Sequence, residues 1–113
     1  MKIESYKFGE MVIDGTAYNN DLVIAGGNIH TRWTRHEGHY VRISDLEKWI
    51  SKGCKRLIVG TGAAGYCRVD PGLQKYCKEH SIDLIALPTA KAIEEFNSLD
   101  EKTDTVAAFH LTC

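Results

Sequence analysis

The sequence predicts an α/β fold: an N-terminal antiparallel β meander, then a mainly parallel core sheet with about three helices, in one domain spanning residues 1–113. Three observations carry this. Short apolar runs separated by glycine-bearing turns fill the first half of the chain. From Leu57 onward, apolar runs alternate with helix signals, the order that builds parallel strands joined by crossover helices. The last run, Thr105-Val-Ala-Ala-Phe-His-Leu111, is apolar on both faces and so belongs in the middle of a sheet.

Lys2 to Phe8 alternates as a strand does, and Gly9 punctuates it. Met11-Val-Ile13 runs into Asp14-Gly15, a hairpin signal because a tight primed turn needs positive φ at both positions. Asp21-Leu-Val-Ile-Ala25 is another strand, turned by Gly26-Gly27-Asn28 into Ile29 to Trp33. This meander of about four short strands either extends the core sheet or covers one side of it. Ser44-Asp-Leu-Glu47 has the spacing of a capping box, and Leu46, Trp49 and Ile50 fall on one face of the helix that follows. Leu57 to Gly60 is the first buried strand. Asp70 as N-cap and Pro71 at the first helical position open a second helix, with Leu73, Tyr76 and Cys77 inward. Ile82 to Leu87 is the next strand and Pro88 ends it. Thr89 then caps a third helix carrying Ala92, Ile93 and Phe96.

Composition narrows the function classes. A net charge of −1 gives no overall attraction to nucleic acid or an anionic membrane. No apolar run approaches the roughly 20 residues that span a bilayer, and Met1-Lys-Ile-Glu-Ser-Tyr6 lacks the apolar core of a signal peptide. Cys54, Cys67, Cys77 and Cys113 contain no Cys-x-x-Cys pair, so neither a structural metal nor a disulfide framework is indicated. The expectation is a cytosolic protein with no cofactor and no metal.

Gly60-Thr-Gly62-Ala-Ala-Gly65 spells G-x-G-x-x-G at the end of a buried strand, the pattern of a dinucleotide-binding loop. Two features argue against that ligand. The motif needs a helix to begin at the loop, whereas Asp70-Pro71 places the helix start later. It also wants an acid closing the next strand, which here ends Ala86-Leu87-Pro88. What remains is a packing turn or a pocket for a small anion or acyl group.

His110 and Cys113 suggest a thiol beside its base. Along a strand, however, His110 and Thr112 share one face and Cys113 points to the other. The segment His30 to Arg42 gathers three Arg and three His around Trp33 and Tyr40, a composition that binds phosphate or stacks a ring, or simply forms a solvated loop.

Val59-Gly-Thr-Gly62, Leu87-Pro-Thr-Ala90 with Ala92 and Phe96-Asn97, and the ending His110-Leu-Thr-Cys113 occur in an order and spacing that resemble a known family. It is the small single-domain family that includes the adipogenesis-associated domain protein and a mitochondrial complex I assembly factor, with many archaeal and bacterial members. Phe96 stands where that family often has Tyr. The resemblance implies a β meander on an α/β core and an assembly, regulatory or unassigned role rather than a known reaction.

Together these readings predict a non-catalytic domain that binds a protein partner or small anionic ligand at the carboxyl ends of the core strands, not nucleic acid. Gly60, Thr61, Gly62, Gly65, Pro88, Thr89 and His110 would frame the cleft, with Arg32 and His39 on the closing segment. The N–H groups of the glycine loop and the Thr89 helix start would hold the anion. The alternative is a small enzyme with His110 as acid or base and Cys113 as nucleophile.

Overall fold

A computed structural model describes residues 1–113. Ten strands and three helices follow in the order β1 (Ile3–Lys7), β2 (Glu10–Ile13), β3 (Thr16–Tyr18), β4 (Leu22–Ala25), β5 (Asn28–Thr31), β6 (Tyr40–Val41), α1 (Ile43–Ile50), β7 (Arg56–Thr61), β8 (Arg68–Val69), α2 (Pro71–Glu79), β9 (Asp83–Leu87), α3 (Thr89–Ser98) and β10 (Thr105–His110). The meander does both things open to it. Strands β1–β3 form a separate antiparallel sheet, while β4 and β5 join the core sheet in the order β5-β4-β10-β7-β9. β10 is antiparallel to β4 and parallel to β7, and β7 is parallel to β9. The two-residue strands β6 and β8 form a further parallel pair that is too short to show a period in the sequence.

β10 lies at the centre, and all six of its residues are buried. Because side chains alternate across a strand, its two faces feed two cores. On one face Val59, Leu57 and Ala108 meet Leu46 and Ile50 of α1 and Leu73 and Cys77 of α2, with Trp33 and Val41 closing the end. On the other, Ile58, Ala107 and Phe109 meet Ala92, Ile93 and Phe96 of α3 and Ile3, Met11 and Ile13 of the small sheet. Asn97 binds that small sheet to α3: its amide accepts from the Ile3 N–H at 3.0 Å and donates to the Ile3 carbonyl at 2.8 Å.

Two helix starts differ from the sequence expectation. α1 begins two residues earlier than the Ser44 box requires, with Arg42 at the N-cap. The Asp45 carboxylate, not that of Glu47, reaches back to the Arg42 N–H at 2.8 Å. At α3, Pro88 occupies the N-cap and Thr89 is already helical and fully buried, so its hydroxyl is free for another task. α2 begins as expected, with the Asp70 carboxylate accepting from the Gly72 N–H. No helix is long and apolar enough to cross a membrane.

Candidate functional site

At the carboxyl edge of β7 the backbone is bare for steric reasons. A Cβ on Gly60 would come within 2.7 Å of the Phe109 ring and 3.0 Å of the Thr89 hydroxyl. One on Gly62, at φ +105, would come within 2.6 Å of the Cys113 carbonyl. The close approach that these glycines permit is therefore to α3 and to residues 112 and 113 of the same chain.

The hydrogen bonds confirm what fills the loop. Thr89 Oγ1 accepts from the Gly62 N–H at 2.9 Å and donates to the His110 carbonyl at 2.6 Å, and the Thr89 N–H donates to the Gly62 carbonyl. Ala63 N–H donates to the Thr112 carbonyl, Tyr66 N–H to that of Cys113, and Cys67 N–H to that of Thr61. This corrects the expected anion cradle. The N–H groups of Gly62 and Thr89 are committed inside the molecule, and so are their neighbours just named. Buried backbone donors find partners, and here the chain itself supplies them.

Next to this edge lies an open cleft of about 810 Å³ between β7, β9 and the start of α2. Thr61, Gly65 and Pro88 line it, as do Gln74, Ala86 and Arg68. Arg68 is the one charged residue of the lining, and its guanidinium enters none of the molecule's ion pairs. Gly60, Gly62 and Thr89 are buried below the loop.

His110 leads elsewhere. Its Nδ1 lies 2.7 Å from Asp21 Oδ2, and the same oxygen is 3.0 Å from Arg35 Nη1. Asp21 Oδ1 accepts from the Leu111 N–H at 2.8 Å. The Arg35 guanidinium also donates from Nε and Nη2 to the Gly38 carbonyl and lies 4.7 Å over the Trp33 ring. These three side chains are only 5%, 9% and 16% exposed for Arg35, His110 and Asp21. Burial pushes the Asp21 carboxyl up. The bonds from His110, the Leu111 N–H and Arg35 outweigh it and hold the group below its ordinary value. An ionised Asp21 calls for the proton on Nδ1, although Arg35 Nη2 is also 3.1 Å from that atom. The remaining ring nitrogen, Nε2, faces Thr112 Oγ1 at 3.5 Å. His110 makes no hydrogen bond with Cys113, which is exposed.

Arg32 and His39 are both exposed, and they do not meet. Arg32 lines a groove beside α1, and His39 contributes its carbonyl to the Arg68 N–H at 2.7 Å. Asp21 and Arg35 escaped the sequence reading. Asp21 carries a signal, an acid immediately before an apolar strand. It becomes informative only once β4 is known to lie against β10, which puts Asp21 beside His110. Nothing in the sequence separates Arg35 from Arg32 and Arg42.

A family model described as a protein of unknown function, DUF498/DUF598, matches residues 3–111. The chain belongs to that family. The resemblance carried by the glycine loop and the His110-Leu-Thr-Cys113 ending thus holds at the level of family. A conserved hypothetical protein of Pyrococcus horikoshii OT3 is similar over 100% of both chains, with 30% identity and a TM-score of 0.83. An outer membrane protein from Bartonella henselae is 18% identical over 98% of this chain and 94% of that one, with a TM-score of 0.79. A Xanthomonas campestris protein is 12% identical over 96% and 83%, with a TM-score of 0.78. At the last two identities the likeness is one of fold, and the DUF498/DUF598 fold survives where most of the sequence has changed.

Proposed function

We propose that this DUF498/DUF598 domain is a cytosolic binding protein whose cleft takes a small ligand with an apolar body and one anionic group. The observation that carries the reading is Arg68: an unpaired guanidinium at the mouth of a half-apolar cleft, at the carboxyl ends of adjacent parallel strands. Gln74 and Thr61 supply neutral polar groups beside it, and Ala86 and Pro88 supply apolar wall. The engagement of His110 by Asp21 and Arg35 favours a structural over a catalytic part for the imidazole. Three buried free thiols, Cys54, Cys67 and Cys77, suit a reducing compartment.

The test is calorimetric titration with short carboxylates and acyl phosphates. A ligand of this class should bind saturably, and Arg68→Gln should weaken it about tenfold or more, the usual cost of losing a charged hydrogen bond. If no such compound binds, or if Arg68→Gln binds as well as the parent protein, the cleft assignment fails.

A protein partner is favoured by a separate observation. Phe8 and Tyr66 are 64% and 66% exposed, and the adjoining backbone bonds to Leu111 and Cys113 respectively, so the two rings flank the same short segment. A co-purifying partner that is retained by a Phe8→Ser, Tyr66→Ser double variant would dismiss this second reading.

A further inference from the structure

On the side of the molecule next to α1 there is a second groove, of about 790 Å³, that shares no lining residue with the cleft. His30, Arg32, Lys48 and Trp49 line it. Trp49 is half-buried, with the His30 ring 5.2 Å away and tilted by 41°, and Lys48 Nζ lies 4.5 Å from its ring centre. Two acids also belong to the lining. The Asp45 carboxylate is occupied by the N–H groups of Arg42 and His36, whereas Glu47 has no side-chain partner.

Arg32 is the unexplained residue. It sits at φ +57, a left-handed conformation that costs a residue with a side chain about 1 kcal/mol. Such strain is kept where surrounding structure or function requires it. The turn itself serves the fold, since it carries the chain from β5 into the buried Trp33, whose N–H donates to the Asp21 carbonyl at 2.9 Å. But that is a task of the backbone, and the exposed Arg32 side chain enters none of the molecule's ion pairs. A glycine would take this φ freely. What glycine lacks is the guanidinium, which is suited to bind phosphate through paired donors.

We propose that this groove binds a phosphorylated planar-ring compound of the nucleotide type, its ring beside Trp49 and His30 and its phosphate on Arg32 and Lys48. A ring next to an aromatic wall gains stacking energy whatever its substituents, while the two cations supply the charge. The near-zero net charge of the chain favours a single small ligand over a polyanion.

The experiment titrates the protein with AMP, read by calorimetry and by tryptophan emission, to which both Trp33 and Trp49 contribute. AMP should bind saturably, and ribose 5-phosphate, which has the phosphate without the ring, should bind roughly tenfold more weakly. Arg32→Gly should lower AMP affinity about tenfold or more while the thermal midpoint holds or rises. Trp49→Leu should also weaken AMP, Glu47→Gln should tighten it, and Arg68→Gln should leave it unchanged. The proposal is overturned if AMP does not saturate, or if Arg32→Gly and Trp49→Leu bind AMP as the parent does. It is equally overturned if Arg32→Gly melts lower than the parent, or if a single-stranded oligonucleotide binds with steep salt dependence where AMP does not.

Discussion

Asp21 shows how one residue ties distant parts of the chain together. Its two carboxylate oxygens join the start of β4, the end of β10 and the loop that carries Arg35. Because its folded pKa lies below the unfolded one, ionisation favours the fold. That contribution is complete above the unfolded value near 3.9 and is lost as the pH falls through the folded value. Stability should therefore decline below about pH 4, and Asp21→Asn should flatten that acid limb in denaturant titrations. Identical limbs for the two proteins would remove Asp21 from the acid response. At neutral pH Asp21→Asn leaves the Arg35 charge buried without its partner, a loss of about 3 kcal/mol. Adding Arg35→Met should restore part of it, since the two side chains are in contact and their effects are not additive.

At the scale of elements, the glycine loop and the start of α3 act as one joint through Thr89. Its hydroxyl bonds both the Gly62 N–H and the His110 carbonyl from a fully buried position. Thr89→Val would keep the shape and leave both groups unpaired, costing about 2–4 kcal/mol by urea unfolding; Thr89→Ser should cost much less. Gly62→Ala adds a Cβ within 2.6 Å of the Cys113 carbonyl at an unfavourable φ, and should lose about 2 kcal/mol or more. A Gly62→Ala protein as stable as its parent would show that residues 112 and 113 yield easily. The sequence made the loop legible, because three glycines after an apolar run call for close backbone approach. It did not reveal the approaching group. A missing side chain marks a space, but what fills that space depends on the path of residues 112 and 113. For the same reason Thr89 was legible as a helix start but not as the joint between two elements.

Across the whole molecule, a single sheet divides two cores, and the thiols report on one of them. Cys54, Cys67 and Cys77 belong to the α1–α2 side, and burial pushes all three thiols up, Cys77 to about 11. Native protein at about pH 8 should thus label quickly at the exposed Cys113 alone, with the other three appearing together at the rate of global unfolding. Early labelling of Cys67 by itself would mean that the Arg35–Tyr40 segment opens locally. Most of this architecture could be read from the chain, since β7, β9, α2, α3 and β10 each carry strong local period or capping signals. The division of the meander between two sheets could not. The alternation along β1 calls for one buried face and the unbroken apolar run of β4 for two, without showing against what.

The position of β10 has a kinetic consequence. The strand that joins the two halves of the core sheet is the last of its five strands in chain order. Until residues 105–110 are available, the β4–β5 hairpin and the β7–β9 pair have no common neighbour. Each half then exposes an open edge that β10 later covers, and the pairing that unites them spans more than 80 residues of chain between Leu22 and Phe109. Long-range pairing of this kind slows folding, because loop closure must precede the contacts that reward it. The unfinished chain is accordingly the form most exposed to aggregation, and residues 105–110 govern how long that exposure lasts.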